Sequence, residues 1–238
     1  MTLFPNNVKL LSTNRYLNGG QSKGNFENFN LAFHVNDNQD DVIANRSLLT
    51  NFYKLPSDPI WLNQTHSSFC IDAQSINSII EADASYTSEV GVVCGIMTAD
   101  CLPVFVSKKN GSMVGIAHAG WRGLISGVIE NLIKSFKSDG NNLVVHLGPS
   151  ISKSYFEVGE EVKTLYLSKD NNFQRCFSIR NNKNYLDLYD AAKLILEGFQ
   201  INSISGGDRC TFQEQSDFFS YRRDGINSGR MAHLIWIK

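Results

Sequence analysis

The sequence predicts an α+β fold: one domain of mixed β-sheets packed together, with flanking helices. Short apolar runs bounded by turn residues crowd the middle of the chain. Helical spacing occurs in separate blocks around them, and the two kinds of segment do not alternate as regular βαβ units. At 238 residues the chain can bury a core of its own. No repeat, low-complexity tract or linker divides it, so residues 1–238 read as a single domain.

Taken in order, Val8–Ser12 reads as an opening strand, and the Gly/Asn-rich stretch Asn18–Asn30 as a long loop. Loops of that length in a compact domain are more often functional than idle. Asp40–Leu55 is a helix, with Val42, Ile43, Leu48, Leu49 and Phe52 near helical spacing. Ile60–Gln64, Gly91–Met97, Leu102–Val106 and Ser112–Ala117 are strands. The second and fourth do not alternate with polar residues, as expected of strands buried on both faces. Gly120 and Gly123 flank the start of one helix running to about Lys137, with Leu124, Val128, Leu132, Ile133 and Phe136 on one side. Leu143–Leu147 is a strand stopped by Gly148-Pro149, Glu157–Leu167 and Leu186–Phe199 are helices, and Met231–Ile237 closes the chain as a strand.

Composition narrows the partners. With 22 basic and 23 acidic side chains the formal charge is −1, which gives no electrostatic footprint for nucleic acid or an anionic membrane. No window approaches the apolar length of a membrane span, and the first residues lack the charged and apolar regions of a signal peptide. Five widely spaced cysteines suit a reducing compartment, so a cytoplasmic protein is expected. No GxGxxG or GxxxxGK[ST] turn is present, which leaves dinucleotide and P-loop chemistry without support.

Three residues at strand ends could carry chemistry. His66 and His118 each stand just past an apolar strand, and Cys101 follows another. If those strands neighbour one another, two imidazoles and a thiolate converge. Such a set suits Zn²⁺, and three protein ligands leave its fourth position open, as catalytic sites do. The spacings of 35 and 17 residues match no compact metal signature. Read from the residues alone, the histidines fit structural roles better than ligand roles and Cys101 fits a buried thiol better, while a Cys–His nucleophilic pair is an equal use of the same atoms. His34, His146 and His233 read as structural or surface residues. Arg122 stands at a helix N-terminus, which already favours anions. Arg222 and Arg223 follow the aromatic run Phe218-Phe219-Ser220-Tyr221.

Six segments, in order, resemble the YfiH-like family, once named laccase-domain or multicopper polyphenol oxidase. They are Asn30–Val35, Trp61–His66, Ala82–Tyr86, Met97–Val104, His118–Leu124, and Gly206–Thr211 continuing to Phe218–Asp224. The resemblance implies a zinc triad of His66, Cys101 and His118, and mixed sheets similar to bacterial toxin deamidases. It also implies phosphorolysis of adenosine, inosine and methylthioadenosine with an added adenosine deaminase activity, so a purine nucleoside and phosphate are the expected partners. Arg122, Asp100 and Asn30 are the candidate substrate-binding residues, with Arg122 holding phosphate and Asp100 or Asp83 in proton work or support. A monomer or small homo-oligomer is expected.

Two positions depart from the family pattern. Ser67 stands where glycine usually follows the first histidine, and the N-terminal Thr-Arg-x-Gly-Gly-Val-Ser is stretched to Asn14–Ser22, which separates Arg15 from its usual context. Copper could enter the same His₂Cys set, with Met97 nearby, but a multicopper cluster needs more histidines than the five present. A cysteine amidase acting on wall-precursor peptides is the other enzyme reading.

Overall fold

The structure, a computed structural model, describes residues 3–75 and 80–238. Two sheets lie face to face, and the functional groups gather where the chain passes from one to the other. The four-stranded sheet has the order β1-β13-β5-β2, from β1 (Val8–Ser12), β13 (Met231–Ile237), β5 (Cys94–Thr98) and β2 (Ile60–Trp61). The six-stranded sheet runs β12-β8-β6-β7-β4-β3. Its strands are β3 (Cys70–Asp72), β4 (Ala84–Thr87), β6 (Leu102–Lys108), β7 (Val114–Ala119), β8 (Leu143–Leu147) and β12 (Ile204–Gly206). Parallel and antiparallel pairs occur in both sheets, so the mixed α+β expectation is what the chain adopts.

Between the sheets lies a layer of Cys94, Ile96, Phe105, Val114, Ile116, Val144 and Ile235, all inaccessible or nearly so. These strands carry apolar side chains on both faces because both faces are covered. Outside the six-stranded sheet, α2 (Trp121–Ser126), α3 (Val128–Ser135), α4 (Glu160–Lys169) and α5 (Leu188–Gly198) bury the largest apolar cluster. Outside the other sheet, α1 (Gln39–Tyr53) covers Met97, Leu234 and Trp236 with Leu48 and Leu49. A three-stranded sheet, β10-β11-β9, is built from β9 (Glu157–Val158), β10 (Phe177–Arg180) and β11 (Lys183–Leu186). A short α6 (Tyr221–Asp224) precedes β13. None of the described helices is long and apolar enough to cross a membrane.

Several elements differ from the sequence reading. The helix expected over 120–137 is two helices, because Gly127 takes φ 94°, a left-handed conformation that ends α2 and restarts the chain as α3. Glu157 and Leu186 belong to strands, and the helices expected there begin three and two residues later. The Asn18–Asn30 loop is held by a buried amide network. Asn45 of α1 donates to Ser22 Oγ at 2.9 Å and to the Asn30 carbonyl at 2.9 Å, and accepts from the Gln21 N–H at 2.8 Å. Asn45 thus satisfies backbone groups that a loop folded onto a core would otherwise leave unpaired.

His233 on β13 is fully buried, with one ring nitrogen 2.8 Å from Thr98 Oγ1 and the other 2.9 Å from Ser12 Oγ. Burial, then the nearby His118 and His146, push this imidazole down to about 3. An unfolded chain takes up a proton here below its ordinary value of 6.5, whereas the folded chain refuses it until about pH 3. Stability therefore falls with acid across that window, by about 2 kcal/mol between pH 7 and pH 5. Urea unfolding at the two pH values should show this loss, and His233→Gln should flatten it. An unchanged pH dependence in the variant would place the acid sensitivity elsewhere.

Candidate active site

Cys101 and His118 meet because β6 and β7 pair antiparallel. Pro103 lies opposite His118 and Leu102 opposite Ala119, so the register carries Cys101 to the position across from Gly120. A side chain at Gly120 has no room: its Cβ would stand 2.8 Å from Cys101 Sγ and 3.0 Å from His66 Cδ2. Glycine here is required by close approach.

His66 arrives by a different route. Its strand, β2, pairs in parallel with β5, the strand that Cys101 follows, in the four-stranded sheet, whereas β7 lies in the six-stranded one. The expectation that three neighbouring strands bring the trio together therefore holds only for β2 and β5. The 62–69 segment crosses from the four-stranded to the six-stranded sheet, and residues 99–101 make the same crossing after β5. Both crossings have a residue in the left-handed region: His66 at φ 61° and Asp100 at φ 89°. For residues with a Cβ such a conformation costs about 1–3 kcal/mol and persists only where surroundings enforce it.

Two buried carboxylates do the enforcing. Asp83 is fully buried and accepts from the N–H groups of Thr65 (3.2 Å), His66 (3.1 Å) and Ser67 (2.6 Å), and from Ser67 Oγ (2.8 Å). Its Oδ1 also meets His118 Nδ1 at 2.7 Å. Ser67, the departure from the family pattern, thus contributes a hydroxyl to this hub. Asp100 accepts from Thr211 Oγ1 (2.6 Å), Ser220 Oγ (3.0 Å) and the Arg222 N–H (2.7 Å), which ties the Cys101 turn to the 210–222 segment.

The ligand atoms of His66, Cys101 and His118 all lie within 4.8 Å of one another, with Cys101 Sγ 3.8 Å from His66 Nε2. Ligands of one tetrahedral zinc stand roughly 3.3–3.8 Å apart, from bond lengths of about 2.0–2.3 Å, so the trio is spaced for one small ion. With Nδ1 of His118 held by Asp83, its Nε2 is the nitrogen left to ligate, the carboxylate–histidine arrangement that metal sites use. Burial pushes the Cys101 thiol up, but the His118 and His66 imidazoles outweigh it and bring the thiol down to about 6. Burial disfavours the His118 cation, yet Cys101 and Asp83 raise it to about 9. Asp83 is pushed up by burial and held below its ordinary value by His118 and Ser67, whereas for Asp100 burial prevails and raises it. The set therefore favours a thiolate, the form that binds a soft or borderline metal.

The trio opens onto a cleft of about 530 Å³, within the usual range for small-molecule sites. Arg122 and Asp100 line it, while Asn30 does not: it is fully buried, with its amide committed to Asp37, Ala32 and Arg230. Three aromatic residues, Trp121, Phe156 and Tyr221, form part of the wall. His34, read from sequence as structural or surface, and Arg230 also line the cleft. Partial burial, then Arg230 and Arg46, lower the His34 imidazole. Neither residue stands at a strand end of the kind that marked the trio. His146 and His233 bond elsewhere, to Ser205 and to Thr98 and Ser12. Among the described residues the trio is the one group placed to hold a metal.

Fold and site together define a class: an α+β protein with two packed sheets and a smaller third, whose His–Cys–His trio faces a ligand-sized cleft. The chain belongs to the family described as multi-copper polyphenol oxidoreductase laccase, which matches residues 10–238. It is 40% identical to the purine nucleoside phosphorylase YfiH of Escherichia coli over 98% of this chain and 95% of that protein. A purine nucleoside phosphorylase of Haemophilus influenzae is also 40% identical, over 98% and 96%. The crystal structure of Neisseria meningitidis protein NMB0706 superposes with a TM-score of 0.94 at 40% identity, covering 100% of this chain and 97% of that one. Bacillus licheniformis hypothetical protein YfiH gives a TM-score of 0.86 at 27% identity, over 98% and 94%.

Proposed function

We propose that this protein is a zinc-dependent purine nucleoside phosphorylase. It converts adenosine, inosine and methylthioadenosine to free base and the corresponding pentose 1-phosphate, with adenosine deaminase activity at the same centre. One observation carries the reading. The metal-ligand trio shares its cleft with Arg122, Arg222 and Arg230, and none of these has a carboxylate within ion-pair distance among the described residues. A cleft with three arginines outside any ion pair, their charge offset only in part by Cys101 and Asp100, calls for an anionic co-substrate, and phosphate is the one that phosphorolysis requires. The names of the relatives point the same way.

When bound, zinc supplies Lewis acidity at a coordination position left open by three protein ligands. His66, Cys101 and His118 would hold it, and Asp83 fixes the tautomer of His118. The aromatic wall accepts the purine ring, and the arginines hold phosphate against C1′ of the pentose. A phosphate oxygen bonds to C1′ as the C1′–N9 bond breaks, and the proton carried by hydrogen phosphate ends on the departing base. Holding both reactants in one cleft turns a bimolecular encounter into a unimolecular step.

The description of the family suggests oxidase chemistry instead, and copper could occupy the same trio. A multicopper cluster would need further histidines, and those of β8 and β13 are committed to hydroxyls. A Cys–His nucleophile is the reading favoured by the depressed Cys101 thiol. Metal content together with product analysis decides among them. Adenosine with phosphate should yield adenine and ribose 1-phosphate, adenosine without phosphate should yield inosine, and a chelator should abolish both. Absence of nucleoside turnover, or turnover that survives chelation and dies on thiol alkylation, would overturn the proposal.

A further inference from the structure

Arg122, Arg222 and Arg230 differ in what already holds them. Arg122 is exposed, with its guanidinium 4.2 Å from the Trp121 ring centroid. Arg222 is exposed, donates through Nη1 to the Tyr155 and Glu157 carbonyls, and lies 5.2 Å from the Phe156 ring. Arg230 is half-buried, and its Nη1 donates to the carbonyls of Ser228 (2.6 Å) and Gly229 (3.1 Å). Nε and Nη2 of Arg230 bond no acceptor among the described residues, yet Arg230 lines the cleft beside the trio. Those two nitrogens form one edge of the guanidinium, the edge that takes two oxygens of a phosphate or carboxylate in parallel. A fixed rear and an open fork make a preorganised anion receptor, because little rotamer freedom is left to lose on binding.

The backbone behind it is fixed too. The Arg230 N–H donates to Asn30 Oδ1 at 2.9 Å, and the same amide donates to Asp37 Oδ2 at 2.9 Å and to the Ala32 carbonyl at 3.2 Å. Asn30 therefore reaches the cleft only through Arg230. Partial burial disfavours the cation at Arg230, which the charges of Cys101 and Asp100 offset only in part. An anion in the cleft would complete that compensation.

Resting on the phosphorylase reading, we infer that Arg230 is the residue that grips phosphate through its Nε/Nη2 edge, and that Asn30 is a positioning residue acting through it. The test uses the metal-loaded protein and two readouts: steady-state phosphorolysis of inosine, and calorimetric binding of inorganic phosphate alone. Arg230→Gln should raise the KM for phosphate on the order of 30-fold, leave the KM for inosine within about twofold, and abolish the binding heat. Arg230→Lys, which keeps the charge without the fork, should recover only part of the loss. Asn30→Ala should raise the phosphate KM without moving that of inosine. Metal content and thermal unfolding of each variant separate these effects from misfolding. A phosphorylase in which Arg230→Gln and Arg230→Lys bind phosphate as wild type does would overturn the inference and leave the reaction standing. Phosphate bound through Arg230 without nucleoside cleavage would overturn the reaction and leave the subsite standing.

Discussion

Cys101→Ser should strip the protein of its metal and reduce nucleoside cleavage by about 10³-fold, while the chain stays folded. A serine hydroxyl is hard, and it does not ionise near neutral pH as this thiol does, brought down to about 6 by His118 and His66. Two imidazoles alone hold a divalent ion too weakly to keep it through purification. The Lewis acidity of a bound metal is worth several kcal/mol in a transition state, and each 1.36 kcal/mol is a factor of ten, which sets the scale of the loss. Folding should survive because Cys101 precedes β6 and is only half-buried, outside the apolar layers on either face of the sheet. Elemental analysis, circular dichroism and ribose 1-phosphate production on the same preparation check all three parts. A folded, metal-free Cys101→Ser protein with full turnover would refute the zinc mechanism.

Much of this site was legible as residues and little of it as a place. His66, Cys101 and His118 could be picked out because each sits at the end of an apolar run, where a scaffold presents side chains. Their convergence depends on two crossings between sheets, and no local pattern records which sheet a strand will join. The Ala82–Tyr86 segment was visible as a motif, but not as the inner strand β4, because Asp83 and Ser85 are polar and yet fully buried. Binary patterning fails there since most of the partners of Asp83 come from the 65–67 turn, far along the chain. Asn30 looked like a contact residue because it opens a family motif; its amide is instead spent on the backbone behind Arg230. One miss had a local signal. Asn181-Asn182, both at positive φ, turn β10 into β11, and such a pair between β-prone runs marks a two-residue hairpin.

Asp83→Asn should be nearly as damaging as loss of a ligand, although the substitution changes one atom. The carboxylate accepts five hydrogen bonds and donates none, so every group around it points an N–H or O–H inward. An amide must turn its NH₂ toward one side. Facing Ser67, it sets donor against donor at the 2.6 Å contact and releases the 65–67 turn, with His66 free to leave its left-handed conformation. Facing His118, it forces Nδ1 to become the acceptor, and the proton moves to Nε2, the nitrogen needed for the metal. Either choice removes one histidine from the set. Partners that support metal ligands from behind typically change affinity about 10–100-fold, and Asp83 supports two ligands at once, so the upper end is expected. Stability should fall as well, by about 3 kcal/mol, because buried groups that now donate to the carboxylate are left facing a donor or without a partner. Ser67→Ala gives the scale: it removes one of the five bonds, leaves the carboxylate in place, and should cost about 1 kcal/mol with little loss of metal. Competition with a chromophoric chelator reads the affinities and urea unfolding the stabilities. Asp83→Asn with the zinc affinity of Ser67→Ala would mean that the trio holds its geometry without this hub.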